Sequence, residues 1–157
     1  VSAPPRQPRP WHPRPWQAWH RHTWTLANTS TAPVWLAMIV LPRATLTRRL
    51  VRAAVPLQAA LGLGYVGLIG RGIALGGERV DFTDGESVAR GMANPEGMLA
   101  GWMHYLAFDL FVGEWIHRTA LEEGINARLA LLLTWWAGPA GLTCFLWQRR
   151  RAGRLAA

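Results

Sequence analysis

The chain has 157 residues, 50% of them hydrophobic, and a formal net charge of +8. All 17 basic residues are arginines that flank apolar runs instead of lining a polar helix, and no groove-reading motif is present. That arrangement points away from nucleic acid and toward lipid headgroups. The single Cys144 excludes an intrachain disulfide and a zinc ligand set.

The mean hydropathy of +0.06 averages two kinds of segment, four long apolar runs and the Pro- and Arg-rich tails and connections between them. Residues 1–22 interleave Pro4, Pro5, Pro8, Pro10, Pro13 and Pro15 with Arg6, Arg9 and Arg14 and with Trp11, Trp16 and Trp19. Proline at this density forbids helix and favours an extended arm. Ordering such an arm requires a surface, and Trp with Arg suits a headgroup layer or a neighbouring membrane-protein subunit. No charged-then-apolar secretory pattern follows Val1.

The first predicted span is 24–41, polar in its first half through Asn28, Thr29, Ser30 and Thr31 and interrupted by Pro33. Such polarity is tolerated where a span faces other helices or bonds back to its own preceding turn. Four arginines follow within 43–52, and the second span is 51–75, with glycines at 62, 64, 67, 70, 72 and 76. Gly62-Leu63-Gly64-Tyr65-Val66-Gly67 spells a dinucleotide fingerprint, but that motif counts only between a strand and a helix. Within an apolar run, small residues at this spacing let helices approach closely. The polar connection 77–96 has the chemistry for a short surface helix, and Asn94-Pro95 signals a turn before the third span at 97–116. The fourth, 127–147, carries Gly138-Pro139 at its centre, where a kink is expected.

At about 1.5 Å per residue these spans match a hydrocarbon core of about 30 Å. The predicted fold class is therefore an all-α bundle of four transmembrane helices at 23–151, with the extended arm at 1–22 and a short tail at 152–157. With four crossings, eleven arginines fall on one side and six on the other, which makes both termini cytoplasmic.

The third span holds His104, Asp109 and Glu114 within an apolar helix. An ionisable group in hydrocarbon costs about 2.5–3.5 kcal/mol on insertion scales, so each demands a partner or a site. Helical spacing puts Gly97, Gly101, His104 and Phe108 on one stripe and Met98, Trp102, Tyr105 and Asp109 on the next. His104 and Asp109 are expected to point into the bundle, with Tyr105 within reach of Asp109. Gly97 and Gly101 would draw the glycine-rich second span against this face, and Glu114 would reach the water interface. Three readings follow: a polar network with Asn28 that fixes helix register, acid–base chemistry on a lipid-soluble substrate, or ligation of a tetrapyrrole by His104 over the small Ala100.

Asn94-Pro95-Glu96, the run from Gly101 to Gly113, Gly124-Ile125 and Gly138-Pro139-Ala140-Gly141-Leu142 resemble the plant abscisic-acid-deficient family and its bacterial relatives. Asn28, Pro33, Trp35 and Pro42-Arg43 are similar as well. The plant member is associated with neoxanthin synthesis, so the resemblance implies a four-span membrane protein linked to carotenoids. In plants the reaction opens a 5,6-epoxide xanthophyll to an allenic product. On that pattern Asp109 is the candidate base, His104 or Tyr105 the candidate acid, and Trp102, His104, Phe108 and Asn28 the candidate pigment contacts. Two expectations result: a small accessory subunit of a pigment-containing, photosynthetic membrane complex held through its arm, or a carotenoid-modifying isomerase. Carotenoid is the expected ligand and (bacterio)chlorophyll the alternative; no metal site is expected. The expected location is a bacterial inner or photosynthetic membrane.

Overall fold

Past Pro15 the chain has no proline until Pro33, and helix begins at Ala18, where the Gln17 N–H donates to His20 Nδ1 (2.8 Å). A computed structural model describes residues 12–75 and 80–155, so the part of the arm at 1–11 lies outside the described residues. Within them the chain is all helical: α1 (Ala18–Val40), α2 (Thr45–Ala74), α3 (Gly85–Ala93), α4 (Pro95–Glu123) and α5 (Arg128–Leu155).

The polar half of α1 satisfies itself. Hydroxyls of Thr29, Ser30 and Thr31 donate to the carbonyls of Thr25, Ala27 and Asn28, and Asn28 Nδ2 donates to Trp24 O. The helix therefore continues through Pro33 and stops only before Pro42. Arginines extend α2 backward from the predicted start, with Arg52 Nε bonded to Arg48 O one turn earlier. Asp84 caps α3, accepting from the N–H groups of Glu86 and Ser87 (3.0 and 3.1 Å). Such caps satisfy two of the donors that a helix start leaves open. Gly124, in the left-handed region at φ 67°, ends α4.

α4 is the central element: it touches every other helix, whereas α2 and α5 do not meet among the described residues. Its inward stripe is Leu99, Ala100, Leu110, Gly113, Ile116, His117 and Ala120. Gly113 has to be glycine, because a Cβ there would overlap the Trp35 ring. Gly64 of α2 does face α4, with room for no more than the Met103 sulfur, 2.6 Å from where a Cβ would stand. Gly97 and Gly101, however, receive α3 and not α2. A Cβ on Gly97 would strike the Gly91 carbonyl, and one on Gly101 would approach Met92. The tight turn at Asn94-Pro95 folds α3 back onto the first turns of α4.

Gly138-Pro139 does more than kink α5. Pro139 lacks an N–H and its ring clashes with the carbonyl of Trp135; helical geometry fails at Ala137 (φ −152°, ψ 52°). The chain then reverses. A Cβ on Gly141 would overlap the Ala130 carbonyl and the Thr134 backbone, which a straight helix would hold roughly 10–17 Å away along its axis. Phe145 meets Trp115 edge-on at 5.5 Å, and Arg149 reaches back to Glu123 (Nε to Oε2 2.8 Å). α5 is thus a helical hairpin whose tip lies level with Asp109 and whose two ends flank the C-terminal end of α4.

Two helices, Thr45–Ala74 and Arg128–Gly153, are long and apolar enough to cross a membrane. The second is folded back on itself at Ala137, so the fourth crossing expected at 127–147, kinked at Pro139 but continuous, is not formed. Nor do the two ends of the described chain share a face. Arg14 lies against Glu96 at the start of α4, while Arg149 lies against Glu123 at its end.

Candidate functional site

α4 carries the motif, and its neighbours decide which groups face in. With Leu99, Ala100 and Leu110 buried, His104 falls on the outer surface, its ring stacked on Phe108 at 4.5 Å between centroids and 5.8 Å from Tyr65 of α2. Tyr105 (54% exposed) and Phe108 (60%) are outward as well. The expectation that His104 points into the bundle is corrected: the core stripe through Leu99, Leu110 and Gly113 lies about a third to a half of a turn away around the helix. Ala100 is buried with Leu68 and Leu99, so it opens no face beside the imidazole.

Asp109 behaves differently. It is half-buried against α5, and its carboxylate lies on Gly138 so closely that any Cβ there would collide with it. It has no hydrogen-bond partner among the described residues, the expected bond from Tyr105 included. Its only electrostatic neighbour among the described residues is His104, and the half-buried carboxylate stands at the break in α5 with no hydrogen bond from them. Glu114 is half-buried beside Gln58 of α2 and near Arg118, with no hydrogen bond of good geometry to its buried Oε1 or to the buried Gln58 Nε2.

Asn28 and Trp102 come together. The Trp102 indole N–H donates to Asn28 Oδ1 (3.1 Å), and Trp102 stacks on Trp24 at 4.5 Å. They build an aromatic wall on the α1–α4 face. Above it a surface recess is lined by Trp16, Arg21, Trp24, Thr25 and Met98. Met98, Trp102, Tyr105 and Asp109 form one continuous stripe of α4, running from this recess to the hairpin tip, where Trp136 stands 83% exposed. Because α5 turns back at Asp109, it leaves the upper part of that stripe uncovered.

A second constellation escaped sequence reasoning. Glu96, 4% exposed, faces Arg14 (3.0 Å), His20 (3.5 Å) and Arg71 (3.9 Å), and His20 is itself 3% exposed. His20 Nδ1 accepts the Gln17 N–H, so the ring proton sits on Nε2, toward Glu96. Arg71 also lies over the Trp19 ring at 5.0 Å. The only sequence signal was a carboxylate in the first turn after Asn94-Pro95; its partners are scattered over the arm, α1 and α2. No group of three or more His, Cys, Asp or Glu suited to a metal exists among the described residues.

These features describe an all-helical protein with two helices long and apolar enough to cross a membrane and a polar group held at the turn of a hairpin. Residues 22–145 match the family model described as ABA DEFICIENT 4-like, and the chain belongs to that family. No curated protein and no solved structure matches it.

Proposed function

We propose that the protein binds a carotenoid-class polyene in the notch between the α5 hairpin tip and the α1–α4 face, with Asp109 at its floor. One observation carries this reading: Asp109, without a hydrogen-bonded partner, sits where α5 stops covering α4. Trp24, Trp102 and Tyr105 supply flat apolar walls suited to a conjugated chain, with polar atoms at one end. Family membership agrees with a carotenoid link.

Purification into nanodiscs from a carotenoid-producing host tests it. Polyene absorption is expected with the protein and is expected to fall several-fold in Asp109→Asn and Tyr105→Ala. No polyene above the level of empty nanodiscs would overturn the reading.

The isomerase reading is favoured by the same unbonded carboxylate, a suitable proton acceptor, with Tyr105 one turn away as donor. It requires Asp109→Asn to alter the end groups of the carotenoids and not merely their amount. The accessory-subunit reading rests on the exposed Trp136 and Trp147, because Arg14, in the described part of the arm, is engaged by its own chain at Glu96 and Asn94.

α1, α2 and α4 would cross the bilayer and α5 would enter as a re-entrant hairpin. Arg14, Arg21, Arg71 and Arg90 lie toward one end of the bundle. Arg43, Arg48, Arg49, Arg52, Arg118, Arg128, Arg149, Arg150 and Arg151 lie toward the other. The balance keeps its sign even if Arg6, Arg9 and Arg79, outside the described residues, are all counted with the smaller set. Loops rich in arginine stay cytoplasmic, which puts the C-terminal end of α5 inside and the start of α1 outside.

A further inference from the structure

Beside the Glu96 cluster lies a cavity of about 320 Å³, on a different face from the Asp109 notch. Leu68, Ile69 and Ile73 of α2 form one wall, and Val80 and Phe82 the other. Gly72, where a Cβ would meet nothing closer than the Glu96 Cβ at 3.9 Å, leaves room at its inner end, and Gly97 lets α3 close against α4 beside it.

The polar groups lining this cavity are already engaged, with one exception. Ser87 Oγ accepts the Asp81 N–H, Asn94 Oδ1 accepts the Arg14 N–H, and Asn94 Nδ2 donates to Arg90 O. Arg90 pairs with Asp84 and Glu86. Glu96 Oε2, buried and facing Arg14 at 3.0 Å, receives no hydrogen bond. Arg14 meets that oxygen as an ion pair without hydrogen-bond alignment, so a buried carboxylate lone pair is left open to a further donor, whereas the other polar side chains of the pocket are bonded within the chain.

We propose that this cavity binds an amphiphile with a neutral hydroxyl head, whose O–H donates to Glu96 Oε2 while its apolar body lies between α2 and Phe82. A hydroxyl supplies the missing donor without adding charge, and its oxygen can accept in turn from the Arg14 guanidinium. An anionic head would be drawn to Arg14 and Arg71 but would set its charge against Glu96. The walls are of the apolar kind that such ligands need, and the volume suits one small ligand. This site is independent of the carotenoid reading.

The test uses the full chain in phosphatidylcholine nanodiscs with radiolabelled 1-dodecanol, dodecane and dodecanoate. Saturable binding is expected for 1-dodecanol, tighter by about tenfold than for dodecane. Gly72→Leu, which fills the cavity and leaves the ion pairs intact, is expected to abolish it. Glu96→Gln is expected to erase the preference for the alcohol over the alkane. Should Glu96→Gln fail to fold, the Gly72→Leu result still decides. Equal binding of alkane and alcohol, tighter binding of dodecanoate, or 1-dodecanol binding unchanged in Gly72→Leu would each overturn the proposal.

Discussion

The carboxylate of Asp109 rests directly on the backbone of Gly138, so the polar group of α4 and the break in α5 are a single structural unit. Replacing Gly138 with Ala forces a methyl into that carboxylate. A destabilisation of about 1–3 kcal/mol is expected, as for overpacking elsewhere. Asp109→Ala should relieve much of it, and thermal unfolding of the single and double variants in detergent measures the coupling. Independent effects would show that the two residues are not in contact.

The path of α5 is checked by sidedness. In a Cys144→Ser background, cysteines at Thr83, Asn126 and Gly153 report the two ends of the bundle. Asn126→Cys and Gly153→Cys are expected to label from one side of sealed vesicles and Thr83→Cys from the other. A straight crossing would place Gly153 with Thr83.

Trp102 donates to Asn28 while stacking on Trp24. Asn28→Leu leaves the indole N–H unsatisfied and is expected to cost about 1–2 kcal/mol. It should also shift the tryptophan emission, which fluorescence during unfolding records together with the midpoint.

Arg149 holds the Glu123 carboxyl below its ordinary value of 4.5 by hydrogen bonding. A carboxyl depressed in the folded state contributes its stabilisation above the unfolded value and loses it as pH falls through the lower, folded one. The returning arm of α5 is therefore expected to loosen as acidification carries the pH below the ordinary carboxyl value of 4.5 and on through the lower, folded one. Faster amide hydrogen exchange after Trp147 reports this, and in Glu123→Gln the dependence should flatten.

Helices were legible in the sequence because apolar length, Asn94-Pro95 and Gly124 are local signals. The disruption at Pro139 was legible for the same reason. Its conversion into a reversal was not, because that depends on Gly141 packing against Ala130 and Thr134. Spacing showed which groups of α4 share a stripe but not which stripe would find neighbours, hence the outward His104. Gly97 and Gly101 announced a close approach, but the second span was expected there and α3 makes it, because spacing marks a small-residue face without identifying the helix that fills it. The Glu96 cluster was hidden because Arg14, His20 and Arg71 meet it only after three separate elements have folded.

Doubling back at Ala137 also bears on how the chain is assembled. A last helix running straight through would have to drag Arg149, Arg150 and Arg151 across hydrocarbon, each at several kcal/mol. Folded back on itself, a hairpin inserted as proposed would enter from the side on which translation leaves it, and its cationic end would stay in water.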